Sequence, residues 1–154
     1  MTADVTLDGD QLIATRYLDA APVLVWEMFT TPDHLAAFWG GDHAIVPRES
    51  VELDLRVGGT FELETRGADG SSHLLRFSYE VIDAPRRLVL AEPSTGITTE
   101  IRLQPTGTGT TVVINQRRLP PELQTDQARN GLAAILDLLA SVAEDLSDPR
   151  RRTT

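Results

Sequence analysis

The sequence predicts an α+β fold in which a curved antiparallel sheet of six to seven strands wraps one long C-terminal helix, with two short helices after the first strand. Three observations predict it. Residues 43–119 run as short β-rich segments divided by turn residues. Those segments alternate apolar with charged positions, so one face of the sheet needs a cover. The long element of helical periodicity comes last, after the helix-stopping pair Pro120 and Pro121.

Residues 11–18 (QLIATRYL) have the β-branched and aromatic content of a first strand. Pro22 then stands in the first turn of a helix over 23–30, and Pro32 opens a second over 33–38 that Gly40 and Gly41 stop. Strands follow at 43–46, 51–55, 60–66, 74–82, 88–92, 98–104 and 110–119, and the short links between them imply an antiparallel meander. Alternation places Phe61, Leu63 and Thr65, then Leu75, Phe77, Tyr79 and Val81, on one face. Leu88, Leu90, Thr99, Ile101, Leu103, Val112 and Ile114 continue it, while Glu62, Glu64, Arg76, Glu80, Glu100 and Arg102 take the other. Residues 122–146 carry Leu132, Ile135, Leu136, Leu139, Val142 and Leu146 at near-helical spacing. A helix of about 25 residues runs roughly 37 Å, enough to cross such a sheet. The whole is a helix-grip arrangement. Gly58 and Gly59 supply the bend that begins a curved strand.

With 154 residues and 41% hydrophobic content, the chain is expected to form one domain over 11–146, flanked by a loosely ordered N-terminus at 1–10 and a flexible tail at 147–154. A formal net charge of -9 repels phosphate backbones, so no nucleic acid partner is expected. All 14 basic residues are Arg, which removes lysine Schiff-base chemistry, and the absence of Cys removes thiolate nucleophiles and Cys-ligated metals. The N-terminus has neither a basic n-region nor an apolar h-region, and no run of about 18 apolar residues occurs, so a cytoplasmic protein without membrane insertion is expected. The exposed edges foreseen at 88–92 and 51–55 leave monomer and homodimer both open, since Arg86, Arg87, Glu52 and Asp54 are charges that also block edges.

The motifs of common chemistries are missing. His34, His43 and His73 form no i, i+4 pair and no H-E-x-x-H, so no metal is expected. G-x-S-x-G is absent, and TGTGTT at 106–111 lies between strands, which makes it a hairpin turn and not a phosphate cradle. No catalytic residue and no cofactor is assigned.

Four stretches carry a family resemblance: TRYLDAAPVLVWEMFTTPDHLAAFWG (15–40), DLRVGGTFELE (54–64) with its turn at Asp69 and Gly70, YEVIDAPRRLVL (79–90) and GTGTTVVINQ (107–116). Together they resemble homologues of the activator of the ninety-kilodalton heat-shock chaperone ATPase, within the START-like or SRPBCC superfamily that shares the birch-pollen-allergen fold. The resemblance runs from about Leu12 to Leu146. Two departures stand out: two glycines follow Phe38 and Trp39, and Leu132 stands where the family often has Trp.

The resemblance implies an apolar cavity between the helix and the curved sheet, a default ligand site. Its walls are expected from Phe61, Phe77, Tyr79, Val112, Leu132 and Leu136, with Phe38 and Trp39 at the mouth and His43 just behind it. Glu92, Gln116 and Arg118 continue the inward register, and pairing of Glu92 with Arg118 inside the cavity would anchor a polar head group. Gly131, inside the last helix, suggests a close approach, a late helix start or a kink. Three functions remain open: a binder of a small apolar molecule; a simple cyclase-, dehydratase- or hydrolase-type enzyme on an apolar substrate; and an interaction module for a chaperone or stress-response partner.

Overall fold

The computed structural model describes residues 3–42 and 44–147. Among them the chain forms β1 (Asp4–Asp8), β2 (Gln11–Leu18), α1 (Pro22–Thr30), α2 (Pro32–Phe38), β3 (Ala44–Ile45), β4 (Glu52–Leu53) and β5 (Thr60–Gly67). β6 (Ser72–Asp83), β7 (Arg87–Ala91), β8 (Thr98–Thr106), β9 (Gly109–Arg117) and α3 (Asp126–Ser147) complete it. The strands make one curved antiparallel sheet in the order β1-β2-β9-β8-β7-β6-β5-β3, with β4 also paired to β5. No helix among the described residues is long and apolar enough to cross a membrane.

Four expectations are corrected. Residues 4–8 are not loosely ordered: they form β1 because Val5 and Leu7 alternate toward the core and Gly9, with φ +60°, closes a two-residue hairpin onto β2. The segment 88–92 is no edge, since β7 lies between β6 and β8. Tyr79 faces Leu90 whereas Val81 faces Val89, so Glu80 is an extra residue; this bulge turns Val81 to the outer face and brings Ile82 to the inner one. The long helix starts at Asp126, where the Thr125 hydroxyl accepts the Ala128 N–H at 3.1 Å as an N-cap, and residues Pro121–Leu123 form a separate 3-10 turn. The tail expectation for 148–154 lies outside the described residues.

The core fills the concave side. Leu12, Ala14 and Leu18 of β2, Ile101 and Leu103 of β8, and Val112 and Ile114 of β9 are buried against α1 and α3, and α3 packs on β1, β2 and both short helices. At the start of β5, a Cβ on Gly59 would stand 2.1 Å from the Asp54 carbonyl oxygen, while Gly58 takes φ +84°. Both glycines bond to Tyr79: the Gly58 N–H donates to its carbonyl at 2.9 Å, and its N–H donates to the Gly59 carbonyl at 3.0 Å. Only glycine permits this close turn into a paired strand.

Candidate functional site: an aromatic wall on the concave face

β5 and β6 place Phe61 and Phe77 as a directly opposed pair, and Tyr79 follows Phe77 on the same face. From the other side, α2 ends in Phe38, and Trp39 continues it by donating its N–H to the Leu35 carbonyl at 3.0 Å. The Trp39 ring lies 5.4 Å from Phe61 and 6.0 Å from Phe77, which are themselves 5.3 Å apart, so three rings close on one another. Phe38 extends the set toward Phe29, and Tyr79 stacks on Phe61 at 6.4 Å and 14°. Edge and stacked contacts of this kind add to what area burial contributes.

Within this apolar wall lies one polar atom without a partner. Tyr79 is 1% exposed, and its hydroxyl has no hydrogen bond among the described residues. Burial, and secondarily the negative charge of Asp54, pushes the phenol up to about 12. At neutral pH it is an O–H donor with no acceptor among the described residues.

The remaining predicted residues divide. Val112, Leu132 and Leu136 are buried in the same core, and Gln116 sits half-buried at the end of the inner face, opposite Leu12 and Thr99. Glu92 and Arg118 do not meet. Glu92 accepts the Thr95 hydroxyl at 2.9 Å within its own turn, and Arg118, exposed at φ +62°, has left the strand. The expected inward pair fails because β9 ends at Arg117. His43 lies outside the described residues. A Cβ on Gly131 would have nothing within 4 Å, so no close approach explains this glycine.

The sequence reading missed Arg16. It follows Leu12 and Ala14 on the inner face of β2, its side chain is 10% exposed, and its Nε donates to Asp137 Oδ1 of α3 at 3.0 Å. The same oxygen accepts the Ala3 N–H at 2.8 Å. Period-two alternation already pointed Arg16 inward, and that was the available signal.

The loop after Trp39 makes a close turn through two glycines. A Cβ on Gly40 would stand 2.3 Å from the Ala44 carbonyl oxygen, and Gly41, at φ +62°, leaves only 3.3 Å between such a carbon and Ile135 Cγ1. Grooves lie on both sides of Gly41 and Asp42. One, of about 490 Å³, runs along α3 past Ala134 and Asp137; the other, of about 540 Å³, runs toward Arg66 and Gly67 at the end of β5.

Fold and wall together define a helix-grip domain of the START-like SRPBCC superfamily. The chain belongs to the family described as Activator of Hsp90 ATPase homolog 1-like protein, whose family model matches residues 19–144. No curated protein matches it. Among solved structures it is similar to protein CV1439 from Chromobacterium violaceum, at 26% identity and a TM-score of 0.80 over 87% of this chain and 97% of that one. It is similar also to protein NE0264 from Nitrosomonas europaea, at 20% identity and a TM-score of 0.80 over 91% and 98%. The AHSA1-like protein from Aeromonas hydrophila is similar at 20% identity and a TM-score of 0.75 over 89% and 94%.

Proposed function

We propose that the protein binds a small, mainly apolar molecule between α3 and the concave face, with the Tyr79 hydroxyl as its polar anchor. The observation that carries this reading is that hydroxyl, buried at the end of a ring stacked on Phe61 and left without a partner among the described residues. An unmet buried donor costs about 1–3 kcal/mol, which a ligand bearing one acceptor oxygen recovers. Trp39, Phe61 and Phe77 occupy the space they bound, so binding displaces Trp39. The grooves on both sides of Gly41 and Asp42 leave room for that movement.

Binding is favoured over catalysis because the one titratable group in the wall among the described residues stays protonated far above neutral pH, and Glu92 is engaged in its own turn. The closed ring contacts favour a second reading, the interaction module, whose core stays filled. Native mass spectrometry of the gently purified protein, against the same sample denatured, separates the two. The binder gives a discrete excess mass that Leu132→Trp removes by adding bulk to the buried face of α3. A bare mass, together with no saturable uptake of the apolar dye anilinonaphthalene sulfonate, turns the assignment to the interaction module.

A further inference from the structure

The convex face holds a charge cluster that the concave site does not use. Glu100 of β8 points away from the core yet is 7% exposed, because arginines from three adjacent strands enclose it. Arg87 Nε donates to its Oε2 at 2.6 Å, while Arg102 Nε lies 3.3 Å and Arg117 Nη2 lies 3.9 Å from its Oε1. In the register of β7 and β8, Arg87 stands directly opposite Arg102. Like charges so placed repel unless an anion lies between them.

A fourth arginine joins through the β6–β7 turn. The Leu103 N–H donates to the Arg86 carbonyl at 2.8 Å, which seats Arg86 beside β8. Arg86, Arg87 and Arg102 then line a groove of about 330 Å³ together with Asp83. Asp83 pairs with Arg86 at 2.6 Å, but the two side chains are 70% and 47% exposed in the order Arg86, Asp83, and an ion pair this exposed holds a guanidinium weakly. The three arginines of the groove against the carboxylates of Asp83 and Glu100 leave a surplus of one positive charge on a chain of net charge -9, and Arg117 adds to the field from the far side of Glu100.

We propose that this groove binds a phosphate-type oxyanion, free or as the ester of a small molecule, between the guanidinium groups of Arg86 and Arg102. The surplus positive charge favours an anion, and guanidinium N–H forks match the oxygens of a phosphate-type group in pairs. The groove opens on the face of the sheet away from the aromatic wall, so the two sites stand or fall separately.

Arginine Nε–Hε signals in nitrogen-15 correlation spectra test it, with inorganic phosphate, glycerol 3-phosphate, and sodium chloride at matched ionic strength. Saturable shifts at Arg86, Arg87 and Arg102 with either phosphate, and none with chloride, are expected. Tighter binding of the ester identifies an esterified ligand, and equal binding identifies the free anion. Arg86→Gln and Arg102→Gln should each weaken binding about tenfold or more, the loss of one charged hydrogen-bond partner. Arg76→Gln, whose residue pairs with Glu62 at 2.6 Å, should not. Arg86 is exposed, so its variant keeps the fold if Arg102→Gln does not. Equal shifts from chloride, or an equal loss in Arg76→Gln, overturns the site as diffuse charge attraction.

Discussion

Tyr79 and Glu100 lie on opposite faces of one sheet, both nearly enclosed, and their surroundings depart from balance in opposite directions. The Tyr79 hydroxyl has no partner among the described residues, while the Glu100 carboxylate is met by three arginines. The contrast follows from charge. A neutral hydroxyl without a partner costs a few kcal/mol at most, which a fold tolerates, whereas an unpaired buried carboxylate costs far more and must be compensated or protonated. Compensation alone does not need three guanidinium groups, since one forked arginine satisfies a carboxylate. The deficit at Tyr79 asks for an acceptor from outside the chain, and the surplus around Glu100 asks for a second anion.

The largest test of this contrast is Glu100→Gln. Breaking a buried ion pair costs about 3–5 kcal/mol, and the partly exposed arginines reduce that here, so a loss of about 3 kcal/mol is expected from the denaturant midpoint. Added phosphate should restore part of it if the groove takes an oxyanion. Burial raises the Glu100 carboxyl, but the Arg87 hydrogen bond and the charges of Arg102 and Arg87 outweigh it and hold the group below its ordinary value of 4.5. A depressed folded value contributes stability above the unfolded one, and that contribution is lost as pH falls through the folded value. The acid limb of the stability profile should therefore flatten in Glu100→Gln. An unchanged acid limb removes Glu100 from one side of the comparison.

Tyr79 gives the alkaline counterpart. Its phenol is raised from 10.0 to about 12, so between those values the folded state holds a proton that the unfolded chain releases. Stability is then fully present below pH 10 and is lost as pH rises through about 12, by up to roughly 2.5 kcal/mol. Tyr79→Phe should lose less over the same interval. Parallel alkaline limbs in both proteins would mean that Tyr79 ionises as an exposed tyrosine does.

How far these two groups could be read beforehand depended on whether their surroundings were local. Pro22 and Pro32 mark α1 and α2, and period-two alternation places Phe61, Phe77 and Tyr79 on one face, because these signals lie within a few residues of the structure they specify. The bulge at Glu80 shifts the face of everything after it by one residue, and nothing in SYEVID announces that shift. Arg16 finds Asp137 at a separation of 121 residues, so its direction was legible and its partner was not. Glu92 and Arg118 were placed inward by carrying alternation past the ends of β7 and β9, where the backbone had already turned away. Glu100 was placed on the charged face, and its burial there was not legible because it depends on the register of β7, β8 and β9, which brings Arg87, Arg102 and Arg117 around it.

The smallest effect is the most discriminating, the change in stability of Tyr79→Phe near pH 7. A buried tyrosine whose hydroxyl is bonded loses about 0.5–1.5 kcal/mol when that bond is removed. A tyrosine without a partner loses nothing of the kind; removing its oxygen relieves an unmet desolvation and leaves a small void, two terms that oppose each other. The expected result is a midpoint unchanged or raised by less than about 1 kcal/mol, together with loss of the excess mass in native mass spectrometry. A fall of more than about 1 kcal/mol would mean that the hydroxyl is satisfied, for instance by a buried water. The concave face would then be as well balanced in its polar group as any ordinary core, and the anchor assigned to Tyr79 would be lost.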